Sequence, residues 1–170
     1  MSTKKSRRIA VGAIISALAV VFLYISCLLP TLQLTLVAVA GILSAAVLIE
    51  CGVAASWLVF ACVSVLSLLL LPDKSSAVFY VLFFGHYPIL KYLLEKIRKP
   101  VLCWLCKLCV GNICLLLIVL LLHAFFPEWA VEYPLWAVWI VCLAVFVLFD
   151  VALTRLLGYY QFRIRPKFKR

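Results

Sequence analysis

The sequence predicts an all-α integral membrane protein with six transmembrane helices. The chain is 68% apolar and 13% charged, with a mean hydropathy of +1.25. A soluble protein is instead about 45–50% apolar and about 25% charged. Apolar runs long enough to cross the hydrocarbon core of a bilayer recur along the 170 residues. Because six spans leave no room for a soluble domain, we expect one domain over residues 1–170, with short basic tails at 1–8 and 158–170.

Charged residues, prolines and glycines bound the apolar runs. Pro30 ends the first run, a turn at Gly52 follows the second, and Pro72 ends the third. Ser75 or Ser76 is expected to cap the fourth helix, because a serine hydroxyl accepts a hydrogen bond from a free backbone amide. The predicted spans are residues 9–29, 32–49, 53–71, 77–94, 101–122 and 134–157.

The distribution of basic residues predicts the topology. Of the 16 Lys and Arg residues, all except Lys74 lie before the first run, in the 91–107 stretch, or after the middle of the sixth run. Basic residues favour the cytoplasmic side of a membrane. We therefore expect both termini in the cytoplasm. The net charge of +10 then indicates contact with anionic lipid headgroups, and we expect no nucleic-acid partner.

Three spans contain residues that are unusual in hydrocarbon. In the fourth span, Pro88 predicts a kink near His86, because proline lacks the N–H that an α-helix uses. Such a distortion can expose backbone groups to a ligand cavity, and the alternative is a neutral histidine bonded to a neighbouring helix. Lys74, at the start of this region, is either an interfacial anchor or a contact for a substrate carboxylate.

In the last two spans, Lys107 is expected to extend toward the cytoplasmic surface. Asp150 is expected to interact with Thr154 or Arg155 of its own helix, and a partner subunit is the alternative.

Three of the eight cysteines follow one another at helical spacing, but we expect neither a metal nor a cofactor. Cys103, Cys106 and Cys109 fall in a predicted helix, where they spread over about 120° of its surface. Their sulfur atoms would converge poorly on one ion. Structural or lipid-modified thiols are the favoured interpretation, with a redox or metal site as the alternative.

A strip of small residues lies on the first predicted helix. Ala10, Ala13 and Ala17 accompany Gly12 and Ser16, and the small-xxx-small spacing of Ala13 and Ala17 allows another helix to approach closely. Packing within this protein explains the strip, and docking of another membrane protein is the alternative.

This combination resembles the substrate-binding (S) component of a prokaryotic energy-coupling factor transporter. The resemblance rests on six spans, cytoplasmic termini, a basic N-terminus and the Ala13-x-x-x-Ala17 motif. It implies capture of a vitamin or similar micronutrient at the cell membrane, with a membrane coupling subunit and paired ATPase subunits as partners. In that family the motif contacts the coupling subunit. The residues that the resemblance implies for substrate binding lie toward the outer face: Lys74, Tyr80, Trp129, Tyr133 and Trp136. His86 is a further candidate, because it lies at the predicted distortion of the fourth span.

Catalytic motifs are not evident in the sequence. It contains no Gly-rich phosphate loop, no Ser-His-Asp order and no His-Glu-x-x-His. We therefore expect that the chain is not an enzyme. Two alternatives to the transporter subunit are a non-catalytic membrane scaffold and a thiol-dependent redox enzyme that uses the 103–109 cysteines.

Overall fold

The computed structural model describes residues 2–96, 99–125 and 135–159, and helices dominate this part of the chain. Six helical stretches within it are long and apolar enough to cross a membrane, which confirms the predicted all-α membrane fold with six spans. The helices are α1 (Ser2–Leu28), α2 (Gln33–Cys51), α3 (Val53–Leu70), α4 (Lys74–Phe79), α5 (Tyr87–Leu94), α6 (Pro100–Phe125) and α7 (Leu135–Tyr159).

The chain divides into two compact units, Met1–Lys99 and Pro100–Arg170. The first unit contains α1 to α5, and the second contains α6 and α7. The prediction of one domain over the whole chain stays a prediction.

In the first unit, apolar side chains face outward and polar side chains face inward, which is the reverse of the arrangement in a soluble protein. Leucines cover its outer surface, for example Leu58 and Leu69 of α3, which are 68% and 74% exposed. Serines point inward, since Ser16, Ser26, Ser44, Ser56, Ser64, Ser67, Ser75 and Ser76 are all buried. Lipid accepts apolar side chains but offers polar groups no hydrogen bonds. This arrangement therefore fits a bundle whose solvent is hydrocarbon.

Short connections join the first four spans. A 3-10 turn over Pro30–Leu32 links α1 to α2, and Gly52 alone separates α2 from α3. The φ of Gly52 is +91°, a conformation that side chains with a Cβ rarely adopt, so the predicted turn at this glycine is confirmed. Asp73, and not the predicted Ser75 or Ser76, caps α4. Its Oδ1 accepts a hydrogen bond from the backbone N–H of Ser75 at 3.0 Å, because both serines already lie inside the helix.

The fourth span is interrupted near its middle. A π-helical segment over Tyr80–Phe84 follows α4, and a turn at Gly85 and His86 precedes α5. The N–H of Gly85 donates to the carbonyl of Tyr80 at 2.7 Å, which is a π-type bond. Pro88 lies in the first turn of α5, where no N–H is needed. The predicted distortion near His86 is confirmed, and the helix restarts at this point.

The π-helical segment approaches α2 very closely at Gly41. A Cβ placed on Gly41 would lie 2.4 Å from the carbonyl oxygen of Phe84, and that oxygen belongs to the backbone. A backbone atom cannot move aside as the end of a flexible side chain can. Contact between α2 and the fourth span therefore requires glycine at this position.

We predict that Gly41→Ala destabilises the protein by about 2 kcal/mol, because an inserted methyl group forces two backbones apart. Thermal unfolding of the detergent-solubilised protein measures this change. The matched control is Gly12→Ala, since a Cβ at buried Gly12 would meet Cγ2 of Val59 at an ordinary 3.5 Å. The control should be neutral or slightly more stable, because alanine favours a helix over glycine. Equal stability of the two variants would contradict the close approach.

Candidate functional site

A cluster of polar side chains lies at one end of the first unit. We name it the Gln33 cluster, and it consists of Ser26, Gln33, Asp73, Ser75 and Ser76. The amide nitrogen Nε2 of Gln33 lies 3.0 Å from Oδ2 of Asp73, 2.6 Å from Oγ of Ser75 and 2.9 Å from Oγ of Ser76. Oγ of Ser26 lies 3.0 Å from Oγ of Ser76. The cluster thus joins the end of α1 to the beginnings of α2 and α4.

Most of the Gln33 cluster is removed from solvent. Gln33 is 7% exposed, Ser26 is 1% exposed, and Ser75 and Ser76 are fully buried. Asp73 is half-buried and is the member with most access to the outside. A hydrogen bond left unmade in such surroundings costs about 1–3 kcal/mol. The cluster is therefore a substantial tie between the three helices as well as a polar site.

Sequence reasoning missed Gln33, which it placed in an apolar span. The available signal is weak: a glutamine at the start of a long apolar run, three residues after Pro30. Nothing local indicates that this amide meets Asp73, which lies 40 residues further along the chain.

Lys74 adjoins the cluster but directs its ammonium group elsewhere. Its Nζ donates to the carbonyl oxygens of Leu68 and Leu71, at 2.8 and 2.7 Å, where α3 ends. A cation at this position satisfies carbonyls that have no partner within the helix and interacts favourably with the helix dipole. Lys74, a candidate substrate-binding residue, therefore caps the C-terminal end of α3 in the structure.

Tyr80 lies at the start of the π-helical segment and is fully buried. Its hydroxyl lies 2.8 Å from Oγ of Ser44 on α2, and the backbone carbonyl of Ser44 accepts from Oγ of Ser56 on α3. These bonds connect three spans within the apolar interior. Lys74 and Tyr80 were both predicted to bind substrate, but their surroundings differ. Lys74 is exposed and bonds to the end of α3, whereas Tyr80 is buried and bonds to α2.

His86 bonds to its own span. Its Nδ1 lies 3.0 Å from the carbonyl oxygen of Val81. Because a carbonyl can only accept, Nδ1 carries the hydrogen. This bond satisfies a backbone group where the helix is interrupted.

Of the other candidates for substrate binding, Trp129 and Tyr133 lie outside the described residues. Trp136 lies near the start of α7, and its side chain is outside the described part of the structure.

The small-residue strip on α1 separates into two faces. Gly12 and Ser16 are buried, whereas Ala10, Ala13 and Ala17 are exposed. Packing within the first unit therefore uses the glycine and serine and leaves the three alanines uncovered. A partner helix could approach closely along the alanine face.

In the second unit, a buried ion pair connects α6 and α7. Nζ of Lys107 lies 3.3 Å from Oδ2 of Asp150, and the two residues are 5% and 2% exposed. The prediction that Lys107 reaches the cytoplasmic surface is wrong, because a carboxylate lies within its reach on α7. The hydroxyl of Thr154 donates to the backbone carbonyl of Asp150 at 2.8 Å.

A second polar contact joins the same two helices. The indole N–H of Trp139 donates to Oδ1 of Asn112 at 3.1 Å, and Nδ2 of Asn112 donates to the carbonyl of Leu108. Gly111 faces the ring of Phe146, with which an added Cβ would collide at 2.9 Å. Two polar pairs and one close glycine contact therefore fix the position of α6 along α7.

The cysteines of α6 spread around the helix. Cys103 is buried, Cys106 is half-buried and Cys109 is exposed, so their sulfur atoms do not face one common point. All eight cysteines of the chain are free thiols. Among the described residues, no group of three His, Cys, Asp or Glu side chains could hold a metal ion.

Comparison with known proteins yields no relative for this chain: no protein-family model, no curated protein and no solved structure matches it. Function must therefore be inferred from the residues themselves.

We predict that Lys107→Met destabilises the protein by about 3–5 kcal/mol, because it leaves a buried carboxylate without this cation. The double variant Lys107→Met/Asp150→Leu should recover much of that loss, since apolar residues can replace a buried ion pair. Thermal unfolding of the single and double variants measures both effects. Lys96→Met, which removes an exposed lysine, serves as the control and should change stability little. A double variant no more stable than Lys107→Met would contradict the pairing.

Proposed function

We propose that this membrane protein is the substrate-binding subunit of a transporter that imports a vitamin or similar micronutrient. Partner ATPase subunits energise the import, and a membrane coupling subunit connects them to this chain. The chain itself hydrolyses nothing in this proposal. The membrane is the plasma membrane of a prokaryote, with both termini of the chain in the cytoplasm.

The observation that carries the proposal is the Gln33 cluster. An amide, a carboxylate and hydroxyls from three helices converge at one end of an otherwise apolar unit. Binding sites for small molecules are mostly apolar and contain a few convergent polar groups that fix the orientation of the ligand. Within the cluster, the half-buried Asp73 is the group most accessible to such a ligand.

The interrupted fourth span supports the same proposal. Its outer part carries Asp73, Ser75 and Ser76, and the π-helical segment and the turn at Gly85 separate that part from α5. Transporters commonly bind their substrates beside discontinuous helices. The position of the cluster on an interrupted span is therefore in keeping with a substrate site.

Coupling to a partner is supported by the exposed alanines of α1. Ala10, Ala13 and Ala17 present a face on which a second helix can pack at short distance. Van der Waals packing of small residues is one of the main forces that join helices in a bilayer. This face is where we place the coupling subunit.

A non-catalytic scaffold or assembly subunit is the second candidate. It is favoured by the internal hydrogen bonding of the Gln33 cluster, in which Gln33 and the three serines contact one another or Asp73. A scaffold needs such a tie for stability and also uses an exposed small-residue face. The two candidates differ in ligand binding, because a ligand that binds the folded state raises its thermal stability.

We predict that affinity purification of the tagged protein from its native membrane recovers a membrane coupling subunit and a pair of ATPases. The variants Ala13→Leu and Ala17→Leu should reduce this recovery about tenfold or more, because a leucine keeps the partner helix from approaching closely. Mass spectrometry of the purified complex measures the recovery. The matched control is Ala61→Leu, which changes an exposed alanine of α3 and should leave the recovery unchanged.

Two results would count against the transporter subunit. Recovery of the same complex from both α1 variants would remove the proposed docking face. Purification without any ATPase, together with no change in thermal stability across a panel of vitamins, would favour the scaffold.

A further inference from the structure

We draw no further inference here: the strongest candidate, the apolar groove along α7 lined by Leu143, Ala144, Val147, Leu148, Val151 and Ala152, carries nothing because nothing in the described part of the chain shows what covers it.

Discussion

Hydrocarbon offers no hydrogen bonds, and this constraint decides where the polar side chains of the chain lie. In the first unit, the serines turn inward and leucines face out. The buried hydroxyls find hydrogen-bond partners on neighbouring helices, as Ser44 and Ser56 do, or in the backbone of their own helix, as Ser16 does. The same rule operates in the second unit, where the buried ammonium of Lys107 meets the carboxylate of Asp150. Oγ of Ser64 departs from the rule, since it is buried and has no hydrogen-bond partner among the described residues.

Features that depend on a short stretch of sequence could be predicted. A span requires only enough consecutive apolar residues, and the six spans follow from their length and composition. The turn at Gly52 depends on the freedom of one glycine to take a positive φ. The interruption before α5 depends on the N–H that Pro88 lacks. The cap of α4 is also local, but aspartate and serine are equally good caps, so composition alone did not select Asp73.

Features that depend on how helices meet could not be predicted. Gln33 lies 40 residues from Asp73, and Lys107 lies 43 residues from Asp150. In both cases the partner is set by the depth and rotation of two helices, and apolar runs give little information on either. Lys107 illustrates the consequence, because a lysine in a span extends toward the surface only when no carboxylate lies nearer. Of the Gln33 cluster, the sequence drew attention only to Ser75 and Ser76, as candidate helix caps, and not to Gln33, its central residue.

Stability and ligand binding draw on the same groups in the Gln33 cluster. The amide of Gln33 and the hydroxyls of Ser26, Ser75 and Ser76 hold α1, α2 and α4 together through hydrogen bonds. Asp73 accepts from the backbone of Ser75 and from the amide of Gln33, so it caps α4 and joins it to α2. A solute that took the place of one of these partners would have to offset the free energy of the internal bond that it breaks. Polar groups within a lipid-embedded bundle are few, and the same few therefore serve both the packing of the helices and any recognition at this end of the unit.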